Sequence, residues 1–239
     1  MCKSYCLNAF NDIPSFKDFI DLKTKKDALD KIRSIRAASS GAFVGDGLVL
    51  TASHAVAKSE RAKIFYKDRV CDAETLVRLP ELDILLLGIT DRNLIGQIPT
   101  LGFSDSVLSL GQQLYGVGFP LPDKVNFNSL FYEVRVSRLE IELNPDVFMC
   151  SGELSQGCSG MCLVDDRCQI VGVVVRKAKA RMRYPDLPND WNIGVKQESF
   201  FDSIEKYIPY RLKSFSPRLS VETIARRLNE TAVVVLACS

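Results

Sequence analysis

Short apolar runs separated by turn residues follow one another from Gly41 to Val195. The first two runs, Gly41–Val44 and Leu48–Thr51, flank Gly45-Asp46-Gly47. Because Asp-Gly accepts the positive φ angles of a tight hairpin, this segment predicts two antiparallel strands. Many short strands joined by Gly, Pro and Asp turns favour an all-β barrel over a βαβ fold. The other predicted strands are Ala62–Tyr66, Ala73–Leu79, Ile84–Ile89, Gln113–Gly116, Phe131–Leu139, Val147–Met149, Met161–Val164, Ile170–Val175 and Trp191–Val195.

Several function classes are excluded by pattern and charge. No glycine-rich phosphate loop opens a helix, which removes the dinucleotide-binding and nucleoside-triphosphatase interpretations. The net charge of +2 gives no global argument for binding nucleic acid or an anionic membrane. The longest apolar runs, such as Ala232–Cys238, are far shorter than the roughly 20 residues that a membrane helix needs. We therefore expect a soluble protein with no membrane or nucleic-acid partner.

The chain contains 8 cysteines, which raises the question of disulfides or a metal. No export signal is visible in the first residues, so we expect reduced thiols and a cytoplasmic location. A zinc site is the alternative. The sequence has no Cys-x-x-Cys pair, however, and it has only one histidine to offer as a further ligand. We predict no metal and no cofactor.

Helices are predicted on both sides of the β-rich region. Apolar residues between Pro14 and Ala38 recur at helical spacing amid Lys and Asp, so this segment could dock on the body or form a partner surface. Phe200–Ile208 and Val221–Leu228 are also predicted helices, the second opened by Ser220. The apolar run Ala232–Leu236 that follows is either a strand within the body or the first strand of another unit.

The only histidine is His54, which follows the predicted strand ending at Thr51 and lies among small residues. Imidazole is the side chain that ordinarily exchanges a proton near neutral pH, so His54 is the one natural candidate for a general base. Asp83 directly precedes an apolar run and would be costly to bury without a partner, for which His54 Nδ1–H is expected. Glu81 and Asp91 remain alternative acids.

Ser159 lies in a Gly157-Cys158-Ser159-Gly160 sequence whose glycines permit a tight turn that presents the hydroxyl. The residues Gly157, Cys158 and Ser159 would form the loop of an oxyanion hole, with the N–H groups of Gly157 and Ser159 as donors. A thiol can replace a hydroxyl as a nucleophile, so Cys158 is an alternative. The glycine that follows Ser159 favours the serine.

The segments Leu50–Val56, Leu82–Leu85 and Gly157–Gly160 resemble the three signature blocks of trypsin-like peptidases, especially those of the HtrA type. The stretches Leu101–Ser106, Leu110–Gln112 and Gly116–Pro120 are similar to the region between the second and third blocks. His, then Asp, then Ser is also the chain order of chymotrypsin-like proteases. Two departures stand out: Met161-Cys162 replaces the usual Gly-Pro, and nothing resembles the PDZ module of HtrA proteins.

The resemblance implies an all-β, chymotrypsin-like fold of two six-stranded antiparallel barrels with the active site between them. It implies a catalytic triad of His54, Asp83 and Ser159. We expect an N-terminal helical extension over 1–40, a protease domain over 41–210 with its barrel junction near 105–125, and a C-terminal helix and apolar tail over 211–239.

Two further features bear on the substrate. Glu153 lies six residues before Ser159, the position at which trypsin keeps its pocket acid, so a carboxylate there would favour Lys or Arg. It could equally be a solvated loop residue. The basic run Arg176–Arg183 could steer acidic substrates or nucleic acid, or it could be a solvated loop.

The sequence thus predicts a serine endopeptidase that cleaves protein or peptide substrates, with activity falling as His54 is protonated. One alternative is a binding module that keeps the protease fold with an idle triad. Another is a viral polyprotein-processing protease with the same fold and triad. A regulatory partner could act through the N-terminal helix or the C-terminal tail.

Overall fold

The structure, a computed structural model, describes residues 35–57, 61–67, 69–91, 95–96, 98–120, 128–141, 144–175, 191–208 and 217–238. These residues form strands and short helices. The strands are β1 Ile35–Gly45, β2 Leu48–Ala52, β3 Arg61–Tyr66, β4 Arg69–Leu79, β5 Ile84–Ile89, β6 Gly102–Phe103, β7 Gln113–Gly118, β8 Leu130–Arg138, β9 Val147–Ser151, β10 Cys162–Val164, β11 Gln169–Val174, β12 Trp191–Lys196 and β13 Ala232–Cys238. The helices are α1 Phe201–Ile204 and α2 Val221–Thr231, and 3-10 turns cover Ser53–Ala55, Gln197–Ser199 and Glu205–Tyr207.

The first barrel is closed by six antiparallel strands in the order β1-β13-β3-β4-β5-β2. Side chains alternate between its interior and its outer face, as the period of a strand requires. Val49 and Leu87 pack in the interior, whereas Leu50 and Leu86 belong to a second cluster that also holds Val117 of β7. Because β2 and β5 are buried on both faces, they read in sequence as continuous apolar runs.

The second barrel uses β7, β8, β9, β12, β11 and β10, all antiparallel, and it closes through β10 pairing with both β7 and β11. The prediction of two six-stranded antiparallel barrels is therefore confirmed. The two-residue strand β6, which pairs in parallel with β11, was not predicted. Leu114, Phe148 and Met161 fill the interior of this barrel.

The C-terminal run is a strand of the first barrel, so the first of the two interpretations of this run is confirmed. Strand β13 lies between β1 and β3, with Ser40 opposite Val234 and Ile64 opposite Val235. All seven of its residues are buried. It follows α2 directly, and Thr231 at the end of that helix donates its hydroxyl hydrogen bond to carbonyls of the preceding turn.

The N-terminal prediction needs one correction. The helix predicted over Pro14–Ala38 falls mostly outside the described residues, but its last four residues are strand. Ile35 pairs with Cys238 and Ala38 with Leu236 in the ladder between β1 and β13. Pairing with the C-terminal strand outweighs the helical spacing, because propensity yields to tertiary context. The domain boundaries at 40 and 210 remain predictions.

The two predicted C-terminal helices differ in length from expectation. The segment predicted as one helix over Phe200–Ile208 forms the four-residue α1, continued by a 3-10 turn. Helix α2 is confirmed, and its first turn is capped by the Ser220 hydroxyl, which accepts a hydrogen bond from Thr223 N. Its buried face carries Ile224 and Leu228 into the cluster between the barrels. Within the described residues, neither α1 nor α2 has the length and apolar composition of a membrane-spanning helix.

The position of β13 predicts a strong effect of charge inside the first barrel. Val235→Asp would place an unpaired carboxylate in the barrel interior, at a cost of about 3–5 kcal/mol, a large part of a domain's stability. Val221→Asp makes the same change at an exposed position in the first turn of α2. We expect thermal unfolding, followed by circular dichroism, to show a large drop in the unfolding midpoint for Val235→Asp and no such drop for Val221→Asp. Equal midpoints would contradict the position of β13.

Candidate functional site

His54 and Asp83 form a hydrogen-bonded pair on the first barrel. His54 lies in the 3-10 turn that follows β2, and Asp83 ends the tight turn before β5. Asp83 Oδ2 lies 2.7 Å from His54 Nδ1, and Oδ1 accepts the backbone N–H of His54 at 2.9 Å. The imidazole is 41% exposed, whereas the carboxylate is only 4% exposed. The expected contact is present. Because Nδ1 faces Asp83, Nε2 is the ring nitrogen that remains for a hydrogen bond to another group.

The backbone around Asp83 adapts to this contact. Asp83 has a φ of +61°, in the left-handed region that Asp tolerates better than most residues. Its carbonyl oxygen accepts the N–H of Ser53 at 2.8 Å. The turn that carries the acid is thus bonded to the turn that carries the histidine through both backbone and side chain. Asp83, the acid favoured by the sequence, is thus in direct contact with His54.

Arg78 of β4 supports the His54 turn from behind. Its guanidinium donates from Nη1 to the carbonyl oxygens of Ser53 at 3.0 Å and Val56 at 2.7 Å, and to the Ser53 hydroxyl at 3.1 Å. These carbonyls lie at either end of the short turn. The cation therefore adds a second donor to Ser53 O, which already accepts the Val56 N–H at 3.4 Å, and supplies a donor to Val56 O.

Ser159 lies in the loop between β9 and β10, and this loop has an unusual pattern of backbone bonding. The N–H groups of Cys158, Gly160 and Met161 bind the carbonyl oxygens of Ser155, Val174 and Cys158. The N–H groups of Gly157 and Ser159 have no acceptor among the described residues. Two alternate amides in one tight turn are thus free to bind an anionic oxygen.

The loop is pressed against the first barrel at Gly160, whose φ is +84°. A Cβ atom built there would lie 2.1 Å from Ser40 O, 2.4 Å from Thr51 Oγ1 and 2.9 Å from Ala52 N. Ser40 also donates its N–H to Ser159 O at 2.9 Å. Only glycine allows this approach, which brings the serine loop onto the residues that lead into the His54 turn.

The structure brings the three predicted residues together to different degrees. His54 and Asp83 are in direct contact, and Ser159 is joined to their barrel through the backbone contacts of its loop. Within the described part of the chain, no hydrogen bond joins the Ser159 hydroxyl to His54. Ser159 is 9% exposed, so only a small part of the residue faces solvent.

Cys158 points elsewhere. Its side chain belongs to the interior of the second barrel, and its Sγ lies 3.4 Å from the hydroxyl of Tyr132. Burial and the adjoining Cys158 raise the pKa of Tyr132, so this hydroxyl stays protonated. The N–H of Cys158 is already bonded to Ser155 O at 3.2 Å. Neither its thiol nor its amide is therefore placed to take part in chemistry at Ser159.

The remaining cysteines in the described residues are also buried and free. Burial raises the pKa of the thiols of Cys150, Cys162 and Cys168 to about 12, and that of Cys71 to about 11. Protonated, inaccessible thiols are poor nucleophiles and poor metal ligands. Among the residues that the structure describes, no group of three or more His, Cys, Asp or Glu side chains is arranged to hold a metal.

Two features were predicted to bear on the substrate: Glu153 and the basic run Arg176–Arg183. Glu153 is exposed on the approach to the Ser159 loop. Near it, Asn192 of β12 donates from Nδ2 to Gly152 O at 2.5 Å and so ties this approach to the second barrel. The basic run Arg176–Arg183 lies outside the described residues.

Sequence reasoning missed Ser40 and Arg78, which hold the two halves of the site in place. Ser40 is one of a pair of serines in a strand, and Arg78 is an ordinary charged residue of β4. Neither has a local signal in the sequence, because each acts on a segment to which only the fold brings it.

Two antiparallel barrels, with a His–Asp pair on one and a serine loop on the other, define a chymotrypsin-like architecture. The chain belongs to the family of proteins with a trypsin-like peptidase domain, whose family profile matches residues 39–173, more than half of the 239 residues. The resemblance inferred from the three motifs is confirmed. Among curated proteins, no sequence matches the chain significantly.

Solved structures share the fold at low sequence identity. An inactive form of Rv3671c from M. tuberculosis H37Rv with a serine-to-alanine substitution is 21% identical, covers 70% of this chain and 80% of its own, and gives a TM-score of 0.53. The inactive Rv3671c protease is 18% identical, with 80% and 97% coverage and a TM-score of 0.53. A serine endoprotease from Yersinia pestis is 18% identical, with 73% and 59% coverage and a TM-score of 0.57.

The close approach at Gly160 predicts a steric effect that a second glycine can isolate. Gly160→Ala would drive a methyl group into Ser40 O, whereas Gly111→Ala, at a similar φ of +77°, meets nothing within 4 Å. Both substitutions carry the left-handed strain of about 1–2 kcal/mol. We expect urea unfolding to show that Gly160→Ala loses more free energy of unfolding than Gly111→Ala. The difference should be several kcal/mol, because the added methyl group overpacks the contact. Equal losses would show that the loop does not press on the first barrel.

Proposed function

We propose that this protein is a serine endopeptidase that hydrolyses peptide bonds through His54, Asp83 and Ser159. The observation that carries the proposal is the Ser159 loop. Within the described residues, the amides of Gly157 and Ser159 lack an acceptor, whereas those of Cys158 and Gly160 have one, and Gly160 packs against the segment before His54. Membership of the trypsin-like peptidase family supports it. The substrate is a protein or peptide chain.

In the proposed first step, Ser159 Oγ bonds to the carbonyl carbon while its proton passes to Nε2 of His54. The carbonyl electrons move to the oxygen, and this oxyanion is bound by the N–H groups of Gly157 and Ser159. The carboxylate of Asp83 accepts the Nδ1–H bond, which fixes the tautomer and stabilises the imidazolium.

Collapse of the tetrahedral intermediate breaks the C–N bond, and the leaving amine takes the proton from His54. The acyl group remains on Ser159 as an ester. Water, deprotonated by His54, then attacks the ester, and the second intermediate releases the carboxylic acid and restores the serine hydroxyl. Every proton is exchanged through one imidazole, so no metal or cofactor is needed.

An idle protease fold is the second candidate, favoured by the missing hydrogen bond between Ser159 and His54. Such bonds are often long in unliganded enzymes and tighten when substrate binds, so we favour the active enzyme. For its setting, we propose a reducing, cytoplasmic environment, supported by six buried free thiols among the described residues.

The proposal predicts which variants lose reaction with a fluorophosphonate probe. Ser159→Ala should abolish labelling, and His54→Gln should slow it by at least about 10⁴-fold, because the hydroxyl then has no base. Cys158→Ala is the matched control and should label within about threefold of the wild type, since its thiol faces Tyr132. Labelling would be followed by in-gel fluorescence and intact mass. A labelled Ser159→Ala chain, or an unreactive wild type, would overturn the assignment.

We further propose that Glu153 favours Lys or Arg before the cut bond. Glu153→Gln should lower kcat/KM for Arg- and Lys-containing fluorogenic peptides by about 10-fold or more, because a charge-assisted hydrogen bond is lost. Turnover of a neutral peptide should be unchanged. Glu74→Gln, on an exposed position of β4, controls for the loss of a carboxylate. If all peptides respond alike, Glu153 does not select the substrate.

A further inference from the structure

Ser40 belongs to β1 of the first barrel, yet most of its hydrogen bonds join it to the second. Its N–H donates to Ser159 O at 2.9 Å, and its hydroxyl lies 2.8 Å from Gly157 O and 2.9 Å from Phe119 N. Its own carbonyl oxygen accepts the Thr51 hydroxyl at 2.7 Å. The residue is 0% exposed. Ser40 therefore sits at the seam of the two barrels, bonded to both halves of the site.

The direction of the two hydroxyl bonds is fixed by chemistry. The N–H of Phe119 can only donate, so the hydroxyl oxygen accepts there. The single hydroxyl hydrogen is then left for Gly157 O, which can only accept. The Ser40 hydroxyl thus acts as a bridge that pulls the Gly157 carbonyl into the buried seam.

That carbonyl belongs to the peptide unit between Gly157 and Cys158, which lies between the two unpaired amides. The other end of the same unit, Cys158 N–H, is bonded to Ser155 O. Because a peptide unit is planar, bonds at both ends fix its orientation. Gly157 has a φ of +98°, a conformation that glycine adopts at little energetic cost. The backbone torsion of Gly157 therefore does not by itself fix the orientation of this peptide unit.

We propose, on the basis of the proposed peptidase function, that Ser40 is a positioning residue for the oxyanion hole. Its hydroxyl holds the Gly157 carbonyl in the seam and thereby keeps the N–H groups of Gly157 and Ser159 directed at the substrate oxygen. Without this bond, only the Cys158 N–H bond to Ser155 O holds the peptide unit, and a turn of the carbonyl toward the site would place its oxygen against the negative charge that develops during the reaction.

The neighbouring residue supplies a matched control. Ser39 is also buried, at 4% exposure, but its hydroxyl has no hydrogen-bond partner among the described residues. Ser39→Ala and Ser40→Ala remove the same atom from adjacent positions of β1. Only the second removes a bond to the Ser159 loop.

The experiment measures the fluorophosphonate labelling rate of the full chain against pH, together with thermal unfolding. Ser40→Ala should unfold cooperatively and lower the plateau rate by about 10- to 100-fold, below the roughly 10²- to 10³-fold loss of a whole oxyanion donor. The pH midpoint should stay at the wild-type value, because the contact between His54 and Asp83 is untouched. Ser39→Ala should match the wild type within about twofold.

Three results would overturn the inference while the wild type labels normally: a wild-type rate for Ser40→Ala, equal losses for both alanine variants, or a shifted pH midpoint that implicates His54. Failure of Ser40→Ala to unfold cooperatively would also overturn it, because the hydroxyl would then serve the fold as a whole. An unreactive wild type is a different outcome, since it overturns the proposed peptidase function itself.

Discussion

The site depends on a close contact of backbone with backbone where the second barrel meets the first. Gly160 approaches Ser40 O, Thr51 and Ala52 so closely that no side chain fits between them. The contact fixes the serine loop relative to the strand that leads to His54. Apolar packing, which includes Leu50, Leu86 and Val117, holds the two barrels together. It does not set the position of the serine loop relative to that strand. Adhesion of this kind is not directional, whereas hydrogen bonds and steric limits are.

The same contact links the end of the chain to the chemistry. Strand β13 pairs with β1 along its whole length, and Val234 lies opposite Ser40. Strand β1 therefore carries a residue that is supported on one side by the last strand and bonded on the other to the serine loop. A segment that looks like an appended tail in sequence is in this way a structural support of the proposed site, even though it contributes no reactive group.

The residue patterns predicted single elements and, through the cost of burying a lone acid, one contact between elements. The hairpin of β1 and β2, the buried run of β5 and the pairing of Asp83 with His54 follow from turn residues, apolar spacing and the cost of burying a lone acid. The place of β13 and the start of β1 could not be predicted, because the pairing of Ile35 with Cys238 spans almost the whole chain. The role of Ser40 was hidden for the same reason. Nothing in its neighbours distinguishes its hydroxyl from that of Ser39.

The structure also separates two candidate nucleophiles that the sequence left side by side. Cys158 and Ser159 are adjacent, so their side chains leave the loop in different directions. The thiol enters the interior of the second barrel beside Tyr132, whereas Ser159 lies in the part of the loop that contacts the first barrel through its carbonyl oxygen. The same turn that buries the thiol also leaves the Ser159 amide without an acceptor among the described residues. The proposed nucleophile and the proposed oxyanion hole thus depend on one backbone conformation, in which the flanking Gly157 and Gly160 both have positive φ angles.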